Sequence, residues 1–183
     1  MTAMLLAVCF LLLSVSFIGI GRTYLIEDYR RDMMASTDEV AHAASAIART
    51  DSMSDWTLSM IISSISGATG NHVFITDPQG VIINCSDKVP FCEHIGKEIP
   101  EDVMGKLEMN GTCEEFSTLD GIYPEKRYFA AREIKEEGNG DLLGYCFISS
   151  PISNMLGTWT NYLTWSIIAL SHRRSEERRV GKE

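Results

Sequence analysis

The side chains here that can do chemistry are five cysteines, four histidines and 25 carboxylates in a chain of 183 residues. Cys85 and Cys92 are separated by Ser86-Asp87-Lys88-Val89-Pro90-Phe91, a polar, proline-bearing stretch able to fold back on itself. In an oxidising compartment that spacing favours a Cys85–Cys92 disulfide, although with Cys113 and Cys146 three full pairings are open. Zinc is the rival use of the same sulfurs. No Cys-x-x-Cys pair occurs and His94 is the only nearby imidazole, so no metal site is assigned.

Glu101, Asp102, Glu114, Glu115 and Asp120 could gather divalent ions or cationic peptides, though runs of carboxylates are more often solvated faces. His42, His72, His94 and His172 stand outside any His-Glu-x-x-Pro context, and no glycine-rich ATP loop occurs. They read as ordinary surface or core histidines. No catalytic residue is expected in this chain, and no cofactor.

The first element able to position these groups is a long apolar run. The run 1–21 carries no charge and is rich in Leu, Val, Ile and Phe. About 20 helical residues cross a hydrocarbon core of about 30 Å, so the run reads as a transmembrane helix. A cleaved signal peptide would have a basic start, a shorter apolar stretch and a small-x-small cleavage site, and Ile18-Gly19-Ile20-Gly21-Arg22 is a poor one. The run 151–171 is again uncharged, with Trp159, Tyr162 and Trp165 suited to a headgroup boundary. Its first half is polar, so either a poor helix spans from Ile152 or a better one starts near Trp159 and is cut off.

Charge separates these regions. Residues 22–158 hold 22 acidic and 11 basic side chains, whereas 172–183 holds five basic and three acidic. An acidic middle and a basic flank agree with the positive-inside tendency and place the middle outside the cell. An acidic surface also repels phosphate backbones, which excludes nucleic acid as a partner.

Between the two apolar runs, 22–50 lacks Gly and Pro and puts Val40, Ala44, Ile47 and Ala48 at helical spacing. That narrow stripe suits a dimer interface or packing on its own domain equally. A second helix opens at Ser52-Met53-Ser54-Asp55, buries Trp56, Met60 and Ile61, and ends at Gly67 and Gly70. Strands follow at 72–76 and 81–85, joined by Asp77-Pro78-Gln79-Gly80. A short helix then runs from Pro100-Glu101-Asp102 to Gly111, before strands at 112–119, 126–134 and 142–149. Short turns make the strands antiparallel, so the class is α+β: five strands with helices packed on one side.

The run Val73-Phe74-Ile75-Thr76-Asp77-Pro78-Gln79-Gly80-Val81-Ile82, followed by His94-Ile95-Gly96-Lys97, resembles the PAS-like single Cache (PDC-type) sensor domains of bacterial transmembrane sensor histidine kinases. In that family an Asp-x-x-Gly turn joins two strands and an Ile-Gly-Lys element follows in the ligand-side loop. The resemblance implies a transmembrane helix at 1–21, periplasmic helices at 22–70, a sensor domain at 71–150 and a second transmembrane helix at 151–172. It implies the sensor region of a two-component kinase in the plasma membrane, its domain outside and its kinase core missing. The same outer domain would serve a chemotaxis transducer or cyclase receptor, and an anchored, non-signalling surface protein is the remaining alternative.

The family holds small anions with basic and aromatic side chains, which here implies His94, Lys97, Arg127, Tyr128 and Arg132 as ligand-binding residues. It further implies a homodimer, an unknown small-molecule or ion ligand, contact with membrane lipid, and a response regulator reached through the missing part. ATP and Mg²⁺ would belong to that part alone. Residues 174–183 resemble the in-frame translation of a common sequencing-library adapter. The tail 173–183 is accordingly read as an artefact, with the natural chain continuing past about Arg173.

Overall fold

A computed structural model describes residues 2–48, 56–87 and 92–153, without some of the side chains before residue 26. In chain order the elements are α1 (Thr2–Ala48), α2 (Trp56–Thr69), β1 (His72–Thr76), β2 (Ile82–Cys85), α3 (Glu101–Asn110), β3 (Thr112–Ser117), β4 (Arg127–Lys135) and β5 (Leu142–Pro151). The strands form one antiparallel sheet in the order β2-β1-β5-β4-β3. A compact unit spans Arg30–Ile152.

The turn between β1 and β2 follows from its residue types. The Asp77 carboxylate accepts from the backbone N–H of Gln79 at 3.0 Å and of Val81 at 2.9 Å, which closes the loop locally. Gly80 takes φ 86°, and a Cβ there would come within 2.9 Å of the Met104 sulfur. Only glycine accepts both conditions without strain. Ile83 is the extra residue of a bulge, since Thr76 pairs with Ile82 while Ile75 pairs with Asn84.

Residues of one parity along the strands, including Phe74, Phe129, Ala131, Tyr145 and Phe147, pack with Val103 and Leu107 of α3 into the core. Phe74 and Phe147 stack with ring centroids 4.8 Å apart. The α3 helix has Glu101 and Asp102 in its first turn, where the helix dipole favours anions. It ends at Gly111 in the left-handed conformation, whose N–H reaches the Leu107 carbonyl at 2.7 Å.

The opposite face of the sheet is covered by α1 and α2. Arg132 of β4 pairs with Asp38, the Ser45 hydroxyl donates to the Lys135 carbonyl at 2.7 Å, and Ser59 of α2 bonds Asn84 of β2 at 2.8 Å. The expectation that helices lie on one side of the sheet is therefore corrected: α3 occupies one face, α1 and α2 the other. Both faces of β1 and β5 are apolar and need cover, so a single helical layer would have left one of them wet. Val40 and Ala44 of the alanine-rich stripe are buried within the chain, against its own sheet.

The buried face of α2 also differs from the sequence reading. Leu58 and Ile62 are fully buried, one helical turn apart, whereas Trp56 is 72% exposed and Met60 49% exposed. Two apolar stripes compete on this short helix, and the aliphatic one wins the sheet. Gly67 lies inside the helix, and Gly70, with φ 71°, closes it.

Among the described residues no helix is long and apolar enough to cross a membrane. Most side chains of the run 1–21 lie outside that description, so the first span rests on the sequence. Residues 154–183, with most of the second span and the tail, also lie outside it.

Candidate functional site

Four strand ends and two loops converge at one end of the sheet. His72 opens β1, Cys85 closes β2, Arg127 opens β4 and Ser149 lies near the end of β5. Period two puts His72 on the same face as Phe74, and Phe74 pairs with Cys85, so imidazole and thiol emerge together. Beyond β2 the pairing continues: the Ser86 N–H donates to the Val73 carbonyl at 2.8 Å, and the Ser86 hydroxyl accepts from the Val73 N–H at 3.0 Å. This holds Asp87 next to the cluster.

His94 arrives from the following loop, which is tied to the outer edge of β2. The Gly96 N–H donates to the Ile82 carbonyl at 2.8 Å, Ile82 donates to Lys97 at 2.9 Å and Ile99 donates to Gly80 at 3.0 Å. The Ile95-Gly96-Lys97 element thus acts as a short piece of edge pairing whose product is the position of His94. Tyr123 comes from the β3–β4 loop, where Leu119 and Asp120 take positive φ of 48° and 52° to turn the chain inward. Such backbone costs about 1–3 kcal/mol per residue and persists only where packing imposes it, here through buried Leu119, Ile122 and Tyr123.

The distances are short. His72 Nε2 is 3.2 Å from Cys85 Sγ and 3.2 Å from Asp87 Oδ2, and His94 Nδ1 is 3.2 Å from the same carboxylate oxygen. Cys85 Sγ lies 4.0 Å from His94 Nδ1 and 2.6 Å from Cys92 Sγ, near enough for the two sulfurs to close a disulfide. On the far side of His72, Nδ1 meets the Tyr123 hydroxyl at 2.5 Å, and that hydroxyl accepts from Ser149 at 2.8 Å. Arg127 lies over the Tyr123 ring, 4.7 Å from its centroid.

Burial governs the protonation of the group. It pushes the Cys85 thiol up, with the Cys92 thiol adding to the shift. Burial also holds His72 below its ordinary value against the pull of Asp87, with His94 and Arg127 adding to the lowering. For Asp87 burial works upward, but the two imidazoles and Cys92 prevail and the carboxyl sits below the usual range. The arrangement brings two imidazoles, a carboxyl group and two cysteine sulfurs to one place.

The overall architecture has solved counterparts. The sensor domain of the Vibrio cholerae histidine kinase DctB matches with a TM-score of 0.56 and 14% identity, over 81% of this chain and 59% of that one. The ligand-binding domain of the Campylobacter jejuni chemoreceptor Tlp3, in complex with 4-methylisoleucine, matches at 0.59 and 13%, over 78% and 58%. That of the Pseudomonas aeruginosa amino acid chemoreceptor PctC, in complex with GABA, matches at 0.58 and 12%, over 78% and 64%. This chain has the PDC-type Cache sensor fold. No family model matches the chain, and no curated protein matches it. It spans about three fifths of the length of these solved Cache structures.

Within the Cache fold the five side chains implied as a ligand set do not converge. His94 and Arg127 lie on the α3 face beside the cluster. Tyr128 and Arg132 have the opposite parity on β4 and turn toward α1, where Tyr128 bonds Glu114 and Arg30 while Arg132 pairs with Asp38. Lys97 is exposed, and its backbone is engaged with His94 and Ile82.

Sequence reasoning missed His72, Asp87 and Tyr123. The reading that His94 is the only imidazole near the cysteines is corrected, because His72 is brought to Cys85 across the hairpin. A strand-opening histidine one hairpin arm away from a cysteine was the available signal, but the bulge at Ile83 hides the register.

Proposed function

We propose that the chain is the extracytoplasmic sensor region of a membrane-anchored receptor, most simply a two-component sensor histidine kinase. The observation that carries this reading is the Cache fold of Arg30–Ile152, into whose sheet face the far end of α1 packs. That helix runs unbroken from Thr2 to Ala48, and its residues 2–21 carry no charge. α1 is the stretch of chain that joins the apolar run to the sensor domain. A ligand that favours one packing of α1 over another has a route to the membrane, whereas one indifferent to both transmits nothing.

The ligand surface in this reading is the α3 face at the His72–Arg127 end. Arg127 Nε is buried without a hydrogen-bond partner among the described residues, its guanidinium over the Tyr123 ring, so a ligand admitted at this end of the sheet would meet an unsatisfied donor. Homodimerisation would use a surface of α1 other than the buried Val40–Ala44 stripe. Chemoreceptor domains share the fold, which keeps a chemotaxis transducer as the second reading.

Two measurements test the proposal. A thermal melting screen of the detergent-solubilised chain against organic acids, amino acids and divalent ions should give a saturable rise in Tm for one class. No shift across the panel argues against direct ligand sensing. Genomic sequence past codon 173 should continue in frame to a kinase core, and a methyl-accepting signalling domain there would favour the chemoreceptor.

A further inference from the structure

We propose that His72 Nε2, Cys85 Sγ, Asp87 Oδ2 and His94 Nδ1 form a binding site for a zinc-like divalent cation. These four atoms all lie within 4.8 Å of one another, in a partly buried cluster that draws on β1, β2 and the loop behind it.

The dimensions fit a tetrahedral ion. With zinc–nitrogen and zinc–oxygen bonds of about 2.0–2.1 Å and a zinc–sulfur bond of about 2.3 Å, the ligand atoms of a regular tetrahedron stand about 3.3–3.6 Å apart. The edges here are 3.2, 3.2, 3.2 and 4.0 Å for His72–Cys85, His72–Asp87, His94–Asp87 and Cys85–His94. The remaining two edges, Cys85–Asp87 and His72–His94, are no longer than 4.8 Å, so side-chain rotations that draw the four atoms together by up to about 1 Å complete the polyhedron.

The donor set selects the ion. One thiolate, two imidazoles and one carboxylate suit a borderline-soft cation, whereas Ca²⁺ and Mg²⁺ require oxygen cages. The thiolate and carboxylate charges together cancel a double positive charge, which a partly buried site needs. His72 is also supported from behind, because its Nδ1 faces the Tyr123 hydroxyl, itself bonded to Ser149. A ligating imidazole characteristically donates its second N–H to such a group, which fixes ring orientation and tautomer.

Cys92 competes for the site. Its sulfur is 2.6 Å from Cys85 Sγ, whereas two thiolates on one zinc stand about 3.8 Å apart. As placed, Cys92 can close a disulfide with Cys85 but cannot share the ion with it, so bound metal and a Cys85–Cys92 bond exclude each other. The inference names an ion as the ligand class of the proposed sensor and in that respect rests on that reading, while binding itself is measured independently.

The test is a Co²⁺ titration of the full chain in detergent micelles, in a Cys9→Ser background, reduced and stripped with chelator. One equivalent should give the ligand-field bands of tetrahedral cobalt and a thiolate charge-transfer band, both erased by stoichiometric Zn²⁺. Because Cys92 Sγ stands 3.4 Å from His94 Nδ1 and 3.6 Å from Asp87 Oδ2, the variants are made in a Cys92→Ser background, where Cys85→Ser should remove the charge-transfer band. Asp87→Asn, at a half-exposed position, should weaken binding at least tenfold without unfolding the domain, and Tyr123→Phe should weaken it about 10–100-fold. Absent bands, or bands unchanged in Cys85→Ser and Asp87→Asn, would overturn the site, and so would a quantitative Cys85–Cys92 disulfide in chain purified from zinc-replete cells without reductant. Metal binding by a chain that proves freely soluble would sink the receptor reading alone, and a membrane-anchored chain that binds no metal would sink the site alone.

Discussion

The Nε2 atom of His72 lies 3.2 Å from the sulfur of Cys85, on neighbouring strands and thirteen residues apart in sequence. The contact exists because both side chains leave the same face at the same end of the β1–β2 hairpin, and that hairpin is set by Asp77 and Gly80. The His72–Cys85 contact is thus a consequence of the hairpin's register.

Gly80→Ala should destabilise the domain by about 1–3 kcal/mol, since it places a Cβ at φ 86° and against Met104. Two causes act there and can be separated. Adding Met104→Ala should relieve only the steric part, so that the double variant loses less than the sum of the singles in urea unfolding. Strict additivity would show that the contact with Met104 carries none of the cost.

One pair of substitutions tests both the core and the face that α2 turns to the sheet. Phe147→Ala removes a fully buried ring stacked on Phe74 and should cost about 3–5 kcal/mol. Trp56→Ala removes a larger side chain that is mostly exposed and should stay within about 0.5 kcal/mol of the parent. Comparable losses in chemical denaturation would mean that the tryptophan, not Leu58 and Ile62, faces the sheet.

Glu114 supplies the pH dependence. Burial works to raise its carboxyl, but hydrogen bonds from Tyr128 and Arg30 outweigh it, and the net effect is a lowered pKa. A carboxyl lowered on folding stabilises the native state above its unfolded value of about 4.5, and that contribution is lost as pH falls below it. Both charged partners are partly exposed, so the effect is about 0.5–1 kcal/mol. The stability gap between the parent and Glu114→Gln should be open at pH 7 and should narrow below about pH 4.5. A gap constant from pH 7 to pH 3 would contradict the ion-pair assignment.

Much of the architecture was legible from local signals. Strand β1 occupies the five residues expected of it, and α3 ends at the expected Gly111, because turn chemistry and helix capping are written in neighbouring residues. The faces were harder. Trp56 and Leu58 offer two competing apolar stripes on α2, and hydrophobic spacing alone does not say which one meets a sheet. The ligand set implied by family resemblance grouped Arg127, Tyr128 and Arg132 by sequence proximity, but strand alternation sends Arg127 to one face and the other two to the opposite one. His72 and Asp87 were invisible as partners because their meeting depends on the bulge at Ile83 and on pairing that continues past Cys85. These are register facts, and register is decided by the whole sheet.

The central claim, that Arg30–Ile152 faces the outside of a cell, is tested by labelling intact cells with a membrane-impermeant maleimide. The label site is Glu125→Cys, at an exposed position in the β3–β4 loop. The account predicts rapid modification before lysis, above the parent chain's background, in protein that sediments with the membranes. Modification only after lysis would place the domain on the wrong side and contradict the account.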